Sequence, residues 1–201
     1  ASSYLSRPDS AHLLIIGTGA LAQYMAWAHC TARPIRRVSV LGRNELRARA
    51  TAEEIRSLVG AEVQVVQAKS LEEAVAEADV ISCETSSAVP ILRGAWIRPG
   101  TFIDLVGSFS PTKREADDEA VRRARVFVDR RETAFHGVGD ILQPIASGVM
   151  AEADVLGDLY DLAGGTVAGR RAASDITYFK NAGGGHLDLM TAEVIYRLAT
   201  A

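Results

Sequence analysis

Short apolar runs alternate with amphipathic stretches along most of the chain. Six runs rich in Val, Ile and Leu fall at residues 13–16, 37–41, 62–67, 80–83, 101–106 and 126–129. Runs this short and continuous read as strands covered on both faces, the pattern of parallel sheets. Between them, residues 20–32, 45–58, 71–78 and 117–123 carry helical patterns, with a short stretch at 92–96. Strand and helix in turn predict an α/β domain, a doubly wound, mostly parallel sheet with helices on both faces.

Beyond Arg130 the alternation is expected to stop. Residues 139–148 read as a loop with a helical turn, and 154–163 as a helix broken by Gly164 and Gly165. Residues 176–179 suit a seventh strand, and Gly183, Gly184 and Gly185 a hinge. A last helix is predicted over 186–198, with Leu187, Met190, Val194 and Leu198 on one face. Residues 1–5 resemble the end of a helix stopped at Arg7 and Pro8, and the chain lacks an initiator Met, so a fragment or a processed chain is expected.

Composition narrows the function classes. The 201 residues are 48% hydrophobic and 23% charged, which suits a packed domain and argues against disorder. A net charge of −3 gives no basic face for nucleic acid. Arg122, Arg123 and Arg125, beside Asp117, Asp118 and Glu119, read as the solvated side of a helix. The two cysteines, Cys30 and Cys83, read as small buried hydrophobes, and no metal site is expected. No apolar run approaches the ~18 residues of a membrane span. A cytoplasmic protein without membrane or nucleic-acid partners is therefore the expectation.

The strand ending at Ile16 runs into Gly17, Thr18, Gly19, Ala20, Leu21 and Ala22, where a helix begins. This is the phosphate turn of a Rossmann sheet. Its first glycine permits the tight turn, the second lets a pyrophosphate approach the backbone, and the small third residue lets the helix pack on the strand. Helix-start amides then attract the phosphates. The second strand leads into Gly42, Arg43 and Asn44. Domains that hold the ribose 2′-hydroxyl of NAD(H) carry a carboxylate there. Arg43 instead suits a 2′-phosphate, which favours NADP(H) over NAD(H). Asn44 adds a hydrogen bond to that phosphate or caps the following helix.

Ligands in open α/β sheets lie outside the carboxyl ends of the strands. Three further loops fall there. The first carries Glu84, Thr85, Ser86 and Ser87, whose hydroxyls suit ribose and nicotinamide or, equally, cap a turn. The second runs from Val106 and Gly107 through Ser108, Phe109, Ser110 and Pro111. The third, Lys180, Asn181, Ala182 and Gly183, is read as a substrate and nicotinamide loop. His12 and His29 read as structural, His136 has no assigned place, and His186 stands near the third loop as a weak proton-donor candidate. No catalytic residue follows from spacing.

The phosphate turn, the run Ala78, Asp79, Val80, Ile81 leading to Thr85, and the run from Gly107 to Pro111 resemble the ornithine cyclodeaminase/mu-crystallin family. So do Gly139 with Asp140 and the stretch from Ser174 to Asn181. The ordered set covers nearly the whole chain. The resemblance implies a Rossmann domain paired with a substrate domain built mainly upstream of the phosphate turn, where the Lys and Arg that grip the substrate carboxylate would lie. It also implies a homodimer formed through that absent domain. Residues 1–10 would end a linking helix, 11–173 form the dinucleotide domain, and 174–201 return to the substrate and dimerisation domain.

One departure carries information. The cyclodeaminase branch is similar to Gly-x-Asp-x-Pro-Gly-Lys-x-Glu after the fifth strand, and its Asp acts on the substrate amine. Here the frame runs from Gly107 to Glu115 with Phe109 in the Asp position. The resemblance then implies an NADPH-dependent reductase of a small cyclic ketimine such as Δ1-pyrroline-2-carboxylate. Ornithine cyclodeamination and an alanine-dehydrogenase-like reaction stay open as rivals, as does a non-catalytic NADPH-binding carrier or sensor.

Overall fold

A computed structural model describes residues 1–200. Eight strands form one sheet in the order β3-β2-β1-β4-β5-β8-β6-β7, and every pairing is parallel. They are β1 (His12–Ile16), β2 (Arg37–Leu41), β3 (Gln64–Gln67), β4 (Val80–Cys83), β5 (Phe102–Leu105), β6 (Ala124–Val128), β7 (Val155–Gly157) and β8 (Ile176–Lys180). Helices α1 (Ser2–Leu5), α2 (Ala22–Ala32), α3 (Glu45–Val59), α4 (Leu71–Glu77), α5 (Asp118–Arg123), α6 (Arg131–Gly137), α7 (Gly139–Ala146), α8 (Leu159–Gly164) and α9 (Gly185–Thr200) complete the chain.

The continuous apolar strands have a simple cause. Leu13 and Ile15 point into one core with Val38, Val40, Val80 and Phe127, beneath α2 and α3. Leu14 and Ile16 point the other way, into a second core with Ile81, Ile103, Leu105 and Tyr178. Both faces are buried, so no polar alternation is left in the sequence. Local caps set the helix starts. Asn44, Ser70, Asp117 and Asp158 each accept a backbone N–H from the first turn of the helix that follows.

From β1 the chain winds outward to β2 and β3, then crosses back to lay β4 on the other side of β1. That reversal opens a crevice at the carboxyl ends of β1 and β4. The predicted doubly wound sheet is present and is parallel throughout.

Several expectations need correction. The alternation does not stop at Arg130. Residues 131–137 and 139–146 are helices, and the predicted helix over 154–163 divides into β7 and the shorter α8. Arg122 and Arg123 are exposed at the end of α5 as expected, but the sixth strand starts at Ala124, so Arg125 is not on that helical face. Arg123, though exposed, donates to the carbonyls of Gly94 and Ile97, and half-buried Arg125 reaches the carbonyl of Gly169. Cys30 is half-buried, and only Cys83 is buried. No residue of α9 is buried, and Met190, Val194 and Leu198 are exposed along it. Among the described residues, no helix is long and apolar enough to cross a membrane.

Candidate functional site

The phosphate turn follows β1 without a gap. Gly17 has φ +140°, and a Cβ there would lie 2.8 Å from the Glu84 carbonyl oxygen. Its own amide donates to Leu41 O at 2.9 Å, tying the turn to the end of β2. A Cβ on Gly19 would meet nothing within 4 Å, so that face is open. Among the described residues, the amides of Thr18, Gly19, Ala20 and Leu21 donate to no protein acceptor, and helical pairing begins at Ala22. Free amides, an open glycine face and a helix start are the donor set that a pyrophosphate requires. Ala22 is fully buried against the sheet.

Gly42 lies against the Thr18 methyl, so the ends of β1 and β2 touch. Arg43 is exposed beside them, with no ion-pair partner among the described residues. Asn44 has the capping role: its Oδ1 accepts from Arg47 N at 3.0 Å.

The loops after β4, β5 and β8 stand side by side because those strands are neighbours. Thr85 donates its hydroxyl to Glu115 Oε1 at 2.9 Å, so that donor is committed within the protein. The Ser87 hydroxyl donates to Val89 O at 2.6 Å, while Ser86 is exposed. Val106 N donates to Cys83 O at 2.9 Å. Ser108 is buried and donates its hydroxyl to Lys113 O at 2.6 Å. Of Ser86, Ser87 and Ser108, then, Ser86 alone makes no hydroxyl hydrogen bond within the described residues.

Phe109 extends from the second loop at 68% exposure. The Lys113 ammonium sits 3.7 Å from its ring centroid. An aromatic face and a cation thus stand together at the sheet's carboxyl edge.

Lys180 is a correction to the third loop. It is the last residue of β8, fully buried, 3.3 Å from Asp140 Oδ2 and 3.9 Å from Glu115 Oε2. It is therefore unavailable to a substrate. The loop proper is Asn181, Ala182 and Gly183. Asn181 Oδ1 accepts from Gly183 N at 2.9 Å. Asp129, just past the end of β6, accepts from Arg130 N at 2.8 Å, with the amides of Ala182 and Gly183 close by. Burial raises the Asp129 carboxyl, opposed by those amides.

Glu84 marks the electrostatics beneath the phosphate turn. Burial pushes its carboxyl well up, the Ser82 hydroxyl pulls it back in part, and Asp104 and Glu115 push it further.

The histidines divide cleanly. His12 bridges Ser39 Oγ at 2.8 Å and Glu77 O at 3.2 Å, and buried His29 lies 3.1 Å from Asp104 Oδ2. Both serve the core. His136 bonds Glu132 O within α6, and His186 stands beside the Tyr160 ring at 6.2 Å.

Sequence reasoning passed over the acidic residues that organise these loops. Glu115 and Asp140 appeared only inside motifs, and Asp129 only as the end of a strand. Only Asp140, between Gly139 and Ile141, stood out as a carboxylate among uncharged neighbours; Glu115 and Asp129 lie beside arginines and left no such signal.

The comparisons with known proteins agree with this geometry. The model of the ornithine cyclodeaminase/mu-crystallin family matches residues 1–201. The chain belongs to that family. Over 98% of its length it is 44% identical to the Delta(1)-pyrroline-2-carboxylate reductase of Paracoccus denitrificans, of which it covers 62%. All of it superposes, at TM-score 0.95 and 34% identity, on 61% of the Thermococcus litoralis Delta(1)-pyrroline-2-carboxylate reductase solved with NADH and L-proline. An archaeal alanine dehydrogenase dimer with bound NAD follows at TM-score 0.90 and 29% identity. The chain thus spans about three fifths of the length of these relatives.

Proposed function

We propose that this chain is the dinucleotide-binding part of an NADPH-dependent reductase of a small cyclic ketimine, of the Δ1-pyrroline-2-carboxylate type. The observation that carries the reading is the row of loops at one sheet edge: the phosphate turn, Arg43, and a fifth-strand loop bearing Phe109 rather than a carboxylate. The family relatives named as pyrroline-2-carboxylate reductases support it.

A bound nicotinamide cofactor supplies the hydride, and the protein supplies position. Gly17, Gly19 and the free amides through Leu21 would hold the pyrophosphate. Arg43 would pair with the 2′-phosphate. Ser86, Val106 and Gly107 would border the ribose and nicotinamide, and Asn181 to Gly183 would close over the ring. Residues 1–10 and 174–201, with the exposed apolar side of α9, would pack on a substrate domain that also forms a homodimer.

The test is a paired turnover assay on the full-length gene product. One reaction holds Δ1-pyrroline-2-carboxylate with NADPH, the other ornithine with NAD. NADPH oxidation in the first alone is the expected result. Proline and ammonia in the second would make the protein a cyclodeaminase despite Phe109. Bound NADPH with no turnover in either would favour a carrier or sensor.

A further inference from the structure

Three buried charged side chains meet below the carboxyl ends of β4, β5 and β8. Glu115 Oε1 accepts from Thr85 N at 2.7 Å and from Thr85 Oγ1 at 2.9 Å. Its Oε2 accepts from Gly107 N at 2.8 Å and Ser108 N at 3.2 Å. One carboxylate therefore holds two loops that arrive from different strands. Asp140, at the start of α7, positions it in turn, with Oδ1 accepting from Glu115 N at 2.8 Å and Ala116 N at 3.4 Å. Lys180 lies against both carboxylates, and all three side chains are fully buried.

A buried ion cluster is a weak source of stability, because an apolar trio of equal volume often packs as well. An apolar trio has no atoms to accept four donors from two loops. That capacity belongs to the ionised carboxylate alone. Once protonated, Glu115 turns one acceptor into a donor, and a loop amide loses its partner.

We propose that Glu115 is a positioning residue, and that Lys180 sets its charge and thereby the spacing of the loops after β4 and β5 that flank the nicotinamide end of the cleft. This rests on the reading of the cleft as a dinucleotide site. The groups facing Glu115 are Lys180 and Tyr178 from β8, Cys83 and Glu84 at the end of β4, Asp140 from α7, and its neighbour Arg114, which pairs with Asp118. Burial pushes the Glu115 carboxyl up, Lys180 pulls it down, and Asp140 pushes it up again. Removing either neighbour's charge should therefore move Glu115 in opposite directions.

The experiment measures NADPH affinity against pH, by nicotinamide fluorescence, on the full-length protein. Wild type should show an acid limb where affinity falls as Glu115 takes up a proton. In Lys180→Met that limb should move to higher pH, with about tenfold weaker binding near neutrality that recovers on raising the pH. In Asp140→Asn, which keeps the Oδ1 acceptor, the limb should move to lower pH. Glu115→Gln should bind about tenfold more weakly than wild type near neutrality, the size of one lost charged hydrogen bond, and should lose the acid limb, so that the two proteins converge at low pH. Adding Lys180→Met to Glu115→Gln should then change little.

Parallel profiles in wild type and Asp140→Asn would overturn the proposal even if Lys180→Met does not fold, and so would losses that multiply in the double variant. The amide resonances of Thr85, Gly107 and Ser108 follow the same titration without cofactor. Amides that titrate in a protein that binds no dinucleotide would sink the cleft reading and leave the charge coupling intact. NADPH binding with amides that do not titrate would sink the coupling and leave the cleft reading intact.

Discussion

Gly107 is packed against the backbone of Thr85, so closely that a methyl group at position 107 would overlap the Thr85 amide and carbonyl and crowd Glu115 Oε1. The overlap is with backbone, so no change of rotamer relieves it. Gly107→Ala should separate the loops after β4 and β5, with destabilisation of about 1–3 kcal/mol, the usual range for overpacking. NADPH binding should weaken along with it. Thermal denaturation and a fluorescence titration check both, and a variant that matches wild type in both would contradict the close loop packing.

Arg43 offers a sharper separation of outcomes. It is exposed at the end of β2, beside a turn whose amides are free, and has no ion-pair partner to lose among the described residues. Arg43→Ala should weaken NADPH binding by about 1–3 kcal/mol, the scale of a charged hydrogen bond, and leave NADH nearly unchanged. Equal losses for the two cofactors would remove Arg43 from the 2′-phosphate site.

The positions of these groups were unequally legible in the sequence. Both cores press on β1, so its residues 13–16 are a continuous apolar run, and β2 and β4 are rich enough in Val and Ile to appear at once. β7 is only Val155–Gly157, between acidic residues, too short to produce a period. Lys180 was misread for another reason. A charged side chain is expected in water, and the partners that allow it inside, Asp140 and Glu115, lie far away in sequence. The phosphate turn was legible because its chemistry is local, six consecutive residues at a strand end. The Glu115 staple was not, because it joins three segments that only the strand order brings together.

Asp79 secures the opposite edge of the sheet and gives a pH prediction. Its carboxylate accepts from Ala11 N at 2.8 Å and His12 N at 3.0 Å, and pairs with Arg7 at 2.7 Å and with Arg98. Burial raises this carboxyl, but the two amides and two guanidiniums outweigh it and hold it below the ordinary aspartate value. The folded state then binds the proton more weakly than the unfolded one. The stability it contributes is complete above about pH 4 and is lost as pH falls through the folded value. Asp79→Ala should cost about 1–3 kcal/mol at neutral pH, the range for charged hydrogen bonds whose arginine partners still reach solvent. The difference from wild type should shrink in acid. Urea denaturation of both proteins at pH 7 and in acid measures this, and a gap that stays constant would remove Asp79 from the acid response.

Cys30 should react slowly and Cys83 not at all until unfolding. Burial, with Glu62 nearby, pushes the Cys30 thiol up to about 11. The thiolate is the nucleophile, so the alkylation rate should climb about tenfold per pH unit through the neutral range. Mass spectrometry after iodoacetamide at two pH values reads this, and rapid modification at pH 7 would contradict the half-buried placement.

Phe109 separates stability from turnover. Its ring is mostly exposed and its packing partner is the Lys113 ammonium, an arrangement worth about 0.5–1 kcal/mol at a surface. Phe109→Ala should therefore leave the melting curve almost unchanged. If the ring borders the substrate, kcat/KM for the cyclic imine should still fall, while NADPH affinity holds. Unchanged turnover would place the ring outside the reaction site. Phe109→Asp carries the argument one step further. A carboxylate at 109 would sit within reach of Lys113 and form an ion pair there, which would hold it ionised and acceptor-only. Imine reduction should fall with the lost ring. Ornithine turnover should not appear, because an acceptor already bound to a cation is a poor base. Proline and ammonia from ornithine with this variant would instead show that the residue type at 109 alone decides between the two reactions.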